Sequence, residues 1–409
     1  MQLDSTQTQR YLPLRDHNVV LGVTGSIAAY KAADLASKLV QQGAAVDVIL
    51  TESATEFVGP TTFAALTHRP VTVGLFGANS ALSIDHVALA MRANVVVVAP
   101  ATANTLAKIA MGLSDDPLGA TILATSAPII VAPAMDGDMY DNPATQWNVQ
   151  VLRERGVHVI EPGEGRLASG LTGRGRLEEP ARIIEHMRWV LGRGGDYSHR
   201  RVVITAGGTQ EPLDPVRYLT NRSSGKMGYA LAEAARGRGA EVTLITTPTA
   251  LPDLVGVTMV KVNTAREMHR EVLQASADSD LLVMAAAVAD YRPAKPAPQK
   301  IKKGDEDTLV LELARNPDII TEASGQRLVK VAFAAETMNA AENAKTKAVS
   351  KGAAFVVAND VTEAGSGFGT DTNRVAFVDA QGNVEQLPLM NKLTVAHAVL
   401  DRAQRYLSR

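Results

Sequence analysis

Twice in 409 residues an apolar β-branched run breaks into glycine and passes into a stretch of helical period: NVVLGVTGSI at 18–27 and RVVITAGGTQ at 201–210. A strand that stops at glycine just before a helix aims backbone N–H groups and the positive end of the helix dipole at one point, which suits a phosphate. The same turn also serves as a plain connection. Neither copy completes a stronger signature: TGSIAAYK lacks the G-x-G-x-x-G of dinucleotide folds, and SSGKMG around Gly225 lacks the earlier glycine and the Ser/Thr after lysine of a P-loop.

Each break opens a series. VVLGVT, AVDVIL, NVVVVA, PIIVA and VHVI read as strands near residues 19, 46, 94, 128 and 157, separated by helical stretches such as SIAAYKAADLASKLVQQG. After residue 200 the rhythm repeats with RVVITA, EVTLIT, DLLVMAA, KVAFAA and AAFVVAN as strands and GYALAEAARGRG and NAAENAKTKAVSKG as helices. Strands this uniformly apolar are those of a parallel sheet covered on both faces. The spacing therefore predicts an α/β protein of two open, Rossmann-like parallel-sheet domains. The glycine-rich GRGGDYSHR at 192–200 sets the boundary, giving domains 1–192 and 193–409.

Composition narrows function. With 46% hydrophobic and 21% charged residues the chain is of ordinary soluble type, and a net charge of -2 argues against a nucleic-acid or anionic-membrane binder. The opening MQLDSTQTQRYLPLRDH lacks the apolar core of a signal peptide, and no apolar run approaches the ~20 residues of a membrane helix, so a cytoplasmic protein is expected. Cysteine is absent, which excludes disulfides, Cys-ligated metal and thiol catalysis.

Several segments carry chemistry. His86 in DHVALA stands at a helix start, as an acid–base group or a structural one. In NVVVVAPATANT a central strand ends at Ala99 and Pro100, and Thr102, Asn104 and Thr105 follow where open α/β sheets bind ligands. APAMDGDMY repeats the device; its Asp136, Asp138 and Asp141 read as a solvated or flavin-lining loop rather than a metal site. EGRLASGLTGRGRL from Glu164 is long and glycine-rich enough to act as a flap, or is an exposed loop. In the second half, EPLDPVRYLTNRSSGKMG gathers small polar groups at a helix start, and AAAVADYRPAKPAPQKIKKGD places Asp290 past a strand ahead of Lys300, Lys302 and Lys303. Such lysines could reach a triphosphate, with Asp290 available for a nucleotide or Mg²⁺. Lys347 and Lys351, four apart on a helix, point the same way.

Taken in order, TGSIAAYK, DHVALA, PATANT, APAM, TAGGTQEPLDPVRYLTNRSSGKMG, AAAVADY, KIKK, RNPDI and FAAET resemble the bifunctional phosphopantothenoylcysteine decarboxylases/phosphopantothenate-cysteine ligases of coenzyme A biosynthesis. The resemblance spans nearly the whole chain. It implies an N-terminal flavodoxin-like FMN domain and a C-terminal CTP-binding ligase domain: two phosphate-binding folds because two successive enzymes are fused. The ligase would join cysteine to 4'-phosphopantothenate through an acyl-cytidylate, and the decarboxylase would convert the product to 4'-phosphopantetheine.

The resemblance also implies residue roles. Gly25, Ser26 and Ile27 would hold the FMN phosphate, with Ser53, Thr102, Ala103, Asn104, Thr105, Ala134 and Met135 nearby and His86 as the active-site histidine. In the ligase, Asn221 and Lys300 would be catalytic and Asp290 would hold Mg²⁺. Ala285, Ala286, the Asn316-Pro317-Asp318-Ile319 turn, Phe333, Lys347 and Lys351 would contact CTP. Two positions depart. Asp136 replaces an asparagine that meets the substrate carboxylate, and Ser169 replaces a flap cysteine that protonates the enethiolate, a far weaker acid in its place. The alternative is thus an active ligase whose FMN domain is impaired and serves for binding or assembly. Family members further imply homo-oligomers, decarboxylase trimers and ligase dimers combining into a dodecamer, with small molecules as the other partners.

Overall fold

The computed structural model describes residues 12–75, 85–302, 308–336, 340–360, 367 and 369–407; Lys303 and the first eleven residues lie outside them. The chain divides into two compact units between Leu191 and Gly192.

The first unit runs β1 (Asn18–Val23), α1 (Ala29–Gln41), β2 (Ala45–Leu50), α2 (Glu52–Thr55), α3 (Pro60–Thr67), β3 (Val71–Thr72), α4 (Asp85–Arg92), β4 (Val95–Ala101) and α5 (Ala103–Met111). It continues through α6 (Pro117–Ala124), β5 (Ile129–Pro133), α7 (Gly137–Asp141), α8 (Pro143–Glu154) and β6 (His158–Val159) to a hairpin of β7 (Gly163–Arg166) and β8 (Thr172–Arg176), then α9 (Pro180–Gly192). Six strands form one parallel sheet in the order β3-β2-β1-β4-β5-β6. Side chains alternate faces along a strand. Val19, Leu21 and Val97 pack into the core on one side, while Val20, Val96 and Val98 pack on the other, which is why these runs are apolar at every position. One polar exception is informative: Asp47 on β2 is buried and accepts from Arg69 Nε and Arg92 Nε, both at 2.8 Å, so that Arg92 ties α4 to the sheet.

The second unit repeats the plan. It runs β9 (Arg201–Ala206), β10 (Gln210–Pro212), β11 (Tyr218–Thr220), α10 (Lys226–Gly237), β12 (Glu241–Thr246), β13 (Thr258–Lys261), α11 (Ala265–Ser276) and β14 (Leu281–Met284). Then follow β15 (Tyr291–Pro293), β16 (Leu313–Arg315), α12 (Ile319–Glu322), β17 (Val329–Glu336), α13 (Ala340–Lys351), β18 (Phe355–Asp360), β19 (Thr372–Asn373), β20 (Val375–Asp379), β21 (Val384–Gln386), β22 (Met390–Asn391) and α14 (Lys392–Leu407). The sheet order is β13-β12-β9-β14-β17-β18-β20-β21, parallel as far as β18 and antiparallel beyond it. Among the described residues three ribbons stand outside it, β10 with β11, β15 with β16 and β19 with β22. The segment just after Asp290, whose prolines suggest a stiffened loop, is partly strand.

In both units the first strand sits inside the sheet, and the chain builds outward on one side before crossing to the other. The crevice beyond the strand ends at such a reversal is where open α/β sheets place ligands. Here it lies between β1 and β4 in one unit and between β9 and β14 in the other.

Candidate functional site

At the first reversal Thr24, the residue after β1, is fully buried and joins the two turns. Its Oγ1 donates to the Pro100 carbonyl at 2.8 Å and accepts from the Thr102 N–H at 3.1 Å. Thr102 in turn caps α5, accepting from the Thr105 N–H at 3.3 Å, which leaves the Asn104 side chain exposed at the helix start. On the neighbouring strand end, a Cβ on Gly25 would fall 2.5 Å from the Ser53 Cβ, so only glycine lets these two turns close together. Beside Ser53 the Thr51 hydroxyl is buried without a partner among the described residues. An orphaned hydroxyl costs about 1–3 kcal/mol unless something bonds it. The turns at Gly25, Ser53 and Thr102 thus meet beside the spare Thr51 hydroxyl, a fit for a phosphate-bearing cofactor.

The flap is a hairpin seated on the turn after β5. Ala134 N–H donates to Ala101 O at 3.1 Å, and Met135 N–H to Gly175 O at 2.9 Å. Gly175 has φ +135°, and a Cβ there would lie 2.2 Å from the Met135 carbonyl, so the flap lies backbone against backbone. Glu161 anchors β8 by accepting from Arg174 at 2.6 Å, and Tyr140 donates to the same carboxylate at 3.1 Å. At the tip, Ser169 donates its hydroxyl to Asp136, whose other oxygen caps α7 at 3.4 Å from the Asp138 N–H. His86 is half-buried in the first turn of α4, the helix that Arg92 ties to Asp47.

At the second reversal Thr205 takes the part that Thr24 plays in the first. Its Oγ1 accepts from the N–H groups of Ala285 and Ala286, both at 3.1 Å. Asn221, after β11, donates to the Val288 carbonyl at 3.1 Å. Between these turns opens a cleft of about 540 Å³ lined by Asn221, Ser223, Gly225, Lys226, Ala285, Ala286, Asp290, Phe333, Lys347 and Lys392. A recess of about 220 Å³ shares Ala286, Asp290, Phe333 and Lys347 and adds Asn316 to Ile319 and Lys351.

Within it Lys351 pairs with Asp318: burial alone would raise the Asp318 carboxyl, but the Lys351 ammonium and the Thr321 N–H hold it below the usual carboxylate value. Lys347 donates to Phe333 O at 3.0 Å. Asn316 is committed to structure, donating to Ala289 O at 2.8 Å and accepting from Arg292 at 3.1 Å. Lys300 is exposed and lines neither cavity. Among the described residues no group of three or more His, Cys, Asp or Glu side chains could hold a metal ion, so a cation beside the exposed Asp290 would need phosphate oxygens to complete its shell.

Sequence reasoning passed over Thr24 and Thr205, although each stands at the end of the first strand ahead of the glycine break. It also passed over Lys226 and Lys392, which line the larger cleft; Lys226 pairs with Asp371 at 2.7 Å.

Comparison with known proteins meets this geometry. The flavoprotein family matches residues 7–191, and the DNA/pantothenate metabolism flavoprotein C-terminal domain matches residues 197–407. The coenzyme A biosynthesis bifunctional protein CoaBC of Vibrio cholerae is 43% identical over 95% of this chain and 98% of its own length. The chain belongs to the CoaBC family. CoaBC of Bacillus subtilis is 44% identical over 95% of this chain and 96% of its own length. A crystal structure of a CoaBC C-terminal domain is 39% identical and covers 51% of this chain and 96% of its own, with a TM-score of 0.44. As a CoaBC protein the chain is a bifunctional enzyme of coenzyme A biosynthesis, joining a flavoprotein decarboxylase domain to a ligase domain. No helix among the described residues is long and apolar enough to cross a membrane.

Proposed function

We propose that the second unit uses CTP to join cysteine to 4'-phosphopantothenate through an acyl-cytidylate, and that the first unit, with FMN, decarboxylates the product to 4'-phosphopantetheine, in a cytoplasmic homo-oligomer. The observation that carries this is the larger cleft, where Asn221 and Asp290 face Lys347 at the strand reversal.

A carboxylate attacking a phosphate brings like charges together, and cations must offset them. Lys347 and Lys351 supply positive charge on α13, and Lys300, exposed outside both cavities, is the further candidate. Asp290 would hold Mg²⁺ jointly with the triphosphate, and the ion would spread the charge of the leaving pyrophosphate. Asn221 spends one amide hydrogen on Val288 and keeps the second for the acyl-cytidylate oxygen. The cysteine amine then displaces CMP.

In the first unit, residues 25–27, Ser53 and 102–105 would hold the FMN phosphate, and Ala134 and Met135 would border the ring. Bound FMN supplies the two-electron oxidation that precedes loss of carbon dioxide and the matching reduction after it. His86 is the acid–base group. Ser169 stands where the family has a thiol and would give its one hydroxyl proton on turning away from Asp136, to be reprotonated from water; while the two are bonded, the hydrogen bond offsets the carboxylate charge that would otherwise repel the substrate carboxylate.

The second reading, a working ligase with an impaired FMN domain, rests on the same two residues, since a hydroxyl bound to a carboxylate is a weak proton donor. Incubating the protein with 4'-phosphopantothenate, cysteine, CTP and Mg²⁺ decides between them by product mass. Appearance of 4'-phosphopantetheine supports the first; accumulation of 4'-phosphopantothenoylcysteine supports the second, and absence of both sinks the ligase assignment.

A further inference from the structure

Lys300 is exposed and lines neither cavity, yet its following residue is gripped on both polar groups of its backbone. The Ile301 N–H donates to Asp214 Oδ2 at 3.0 Å, and the Ile301 carbonyl accepts from the Arg217 guanidinium at 2.8 Å. Arg217 donates to the same Asp214 oxygen through Nε at 3.0 Å and its terminal nitrogen at 2.6 Å, while Asp214 Oδ1 accepts from the N–H groups of Val216 and Arg217, both at 2.8 Å. The Asp214 side chain has 0% exposure, and Ala297 N–H adds a bond to Leu213 O at 2.8 Å. All of this sits in the tight turn of the β10–β11 ribbon, whose far end carries Asn221.

We propose that Asp214, acting with Arg217, is a positioning residue of the ligase: it clamps the backbone at Ile301 and so sets Lys300 in register with Asn221. One short ribbon then carries a catalytic amide at one end and the anchor of a catalytic lysine at the other. A surface turn needs no such device. An Asx-type turn is complete with Oδ1 alone, whereas here Oδ2 and a guanidinium are spent on a segment more than eighty residues away. The proposal rests on the reading of Lys300 as a triphosphate-binding lysine.

The test uses the full-length protein and the isosteric Asp214→Asn, which keeps one acceptor for the turn but cannot serve both sides of the clamp. Trypsin cuts after lysine, so the Lys300–Ile301 bond contains the very N–H that Asp214 holds. With flavin content retained and the variant still folded at the assay temperature, Asp214→Asn should speed cleavage at that bond about tenfold, the effect of losing one charge-assisted hydrogen bond. It should lower kcat for CTP-dependent pyrophosphate release by a similar factor, with decarboxylation of supplied 4'-phosphopantothenoylcysteine unchanged. Should Asp214→Asn fail to fold, Arg217→Lys, which loses the guanidinium bond to the Ile301 carbonyl, carries the same two readouts.

Unchanged cleavage and unchanged kcat in a folded variant overturn the clamp. Faster cleavage with unchanged kcat overturns its positioning role. Lys300→Gln tells the two readings apart: wild-type release in that variant removes the lysine's role and the proposal with it, whereas lost release beside a normal Asp214→Asn variant overturns the clamp alone.

Discussion

The Ser169 hydroxyl donates to the Asp136 carboxylate between the flap tip and the first turn of α7. The two positions that sequence reasoning read as departures from the family pattern are thus bonded to each other, and a change at one has a partner at the other. Ser169→Ala should cut formation of 4'-phosphopantetheine from supplied 4'-phosphopantothenoylcysteine by about 10²-fold or more, the usual worth of a positioned proton donor, while pyrophosphate release stays normal. An undiminished rate would assign protonation to water or another group.

Flavin retention should depend on Gly25. A methyl group there meets Ser53 Cβ at 2.5 Å and must push the two turns apart, at a cost of about 1–3 kcal/mol. Gly25→Ala should therefore purify with flavin bound about ten- to a hundredfold more weakly. Titration of the stripped protein with FMN, followed by flavin fluorescence, reads this directly.

Charge removal on α13 should separate nucleotide binding from the rest of the enzyme. Lys347→Met and Lys351→Met should each raise the KM for CTP about tenfold or more, as expected for a lost charge-assisted contact, with the KM for cysteine little changed. Lys351→Met also strips Asp318 of its partner, so its carboxyl should rise toward the ordinary range. Initial rates of pyrophosphate release against CTP and against cysteine make the distinction.

Acid should act through Asp214. Hydrogen bonds from the Arg217 guanidinium, opposed by burial and helped by the N–H groups of Val216, Ile301 and Arg217, hold its carboxyl far below the ordinary range. A depressed carboxylate stabilises the folded state fully above its unfolded value of about 3.9, and the contribution declines as pH falls through that value toward the folded one. Urea midpoints of wild type and Asp214→Asn should accordingly differ most at neutral pH and converge below about pH 4.

Removal of divalent metal gives the last contrast. Since Asp290 stands without a ready cluster of further ligands among the described residues, the cation should leave easily. Chelator should abolish pyrophosphate release and spare both flavin binding and decarboxylation of supplied 4'-phosphopantothenoylcysteine.

The sheets were legible from sequence because Val19 to Val23 and Val202 to Ile204 are apolar at every position, a pattern only a doubly covered strand requires. The glycine breaks marked the strand ends for a related reason, as nothing larger than Gly25 fits against Ser53. What escaped notice was built from long-range polar contacts. Thr24 reaches Thr102 and Thr205 reaches Ala286 across about eighty residues, and Asp214 reaches Ile301 across a similar span. No local period records such pairings. The flap hairpin was hidden for another reason: GEGR and TGRGR have almost no strand propensity, and backbone seating on Met135 with the Glu161–Arg174 bond holds them extended.

The division between Leu191 and Gly192 bears on synthesis as well as catalysis. Every contact described around the first reversal, from Thr24 to the flap residue Gly175, is made by residues that precede β9 in the chain and are therefore synthesised before it. A nascent chain can therefore assemble its first reversal while the ligase unit is still being made. Its second reversal cannot close until β14 has emerged, so the catalyst for the later reaction is ready before the catalyst for the earlier one.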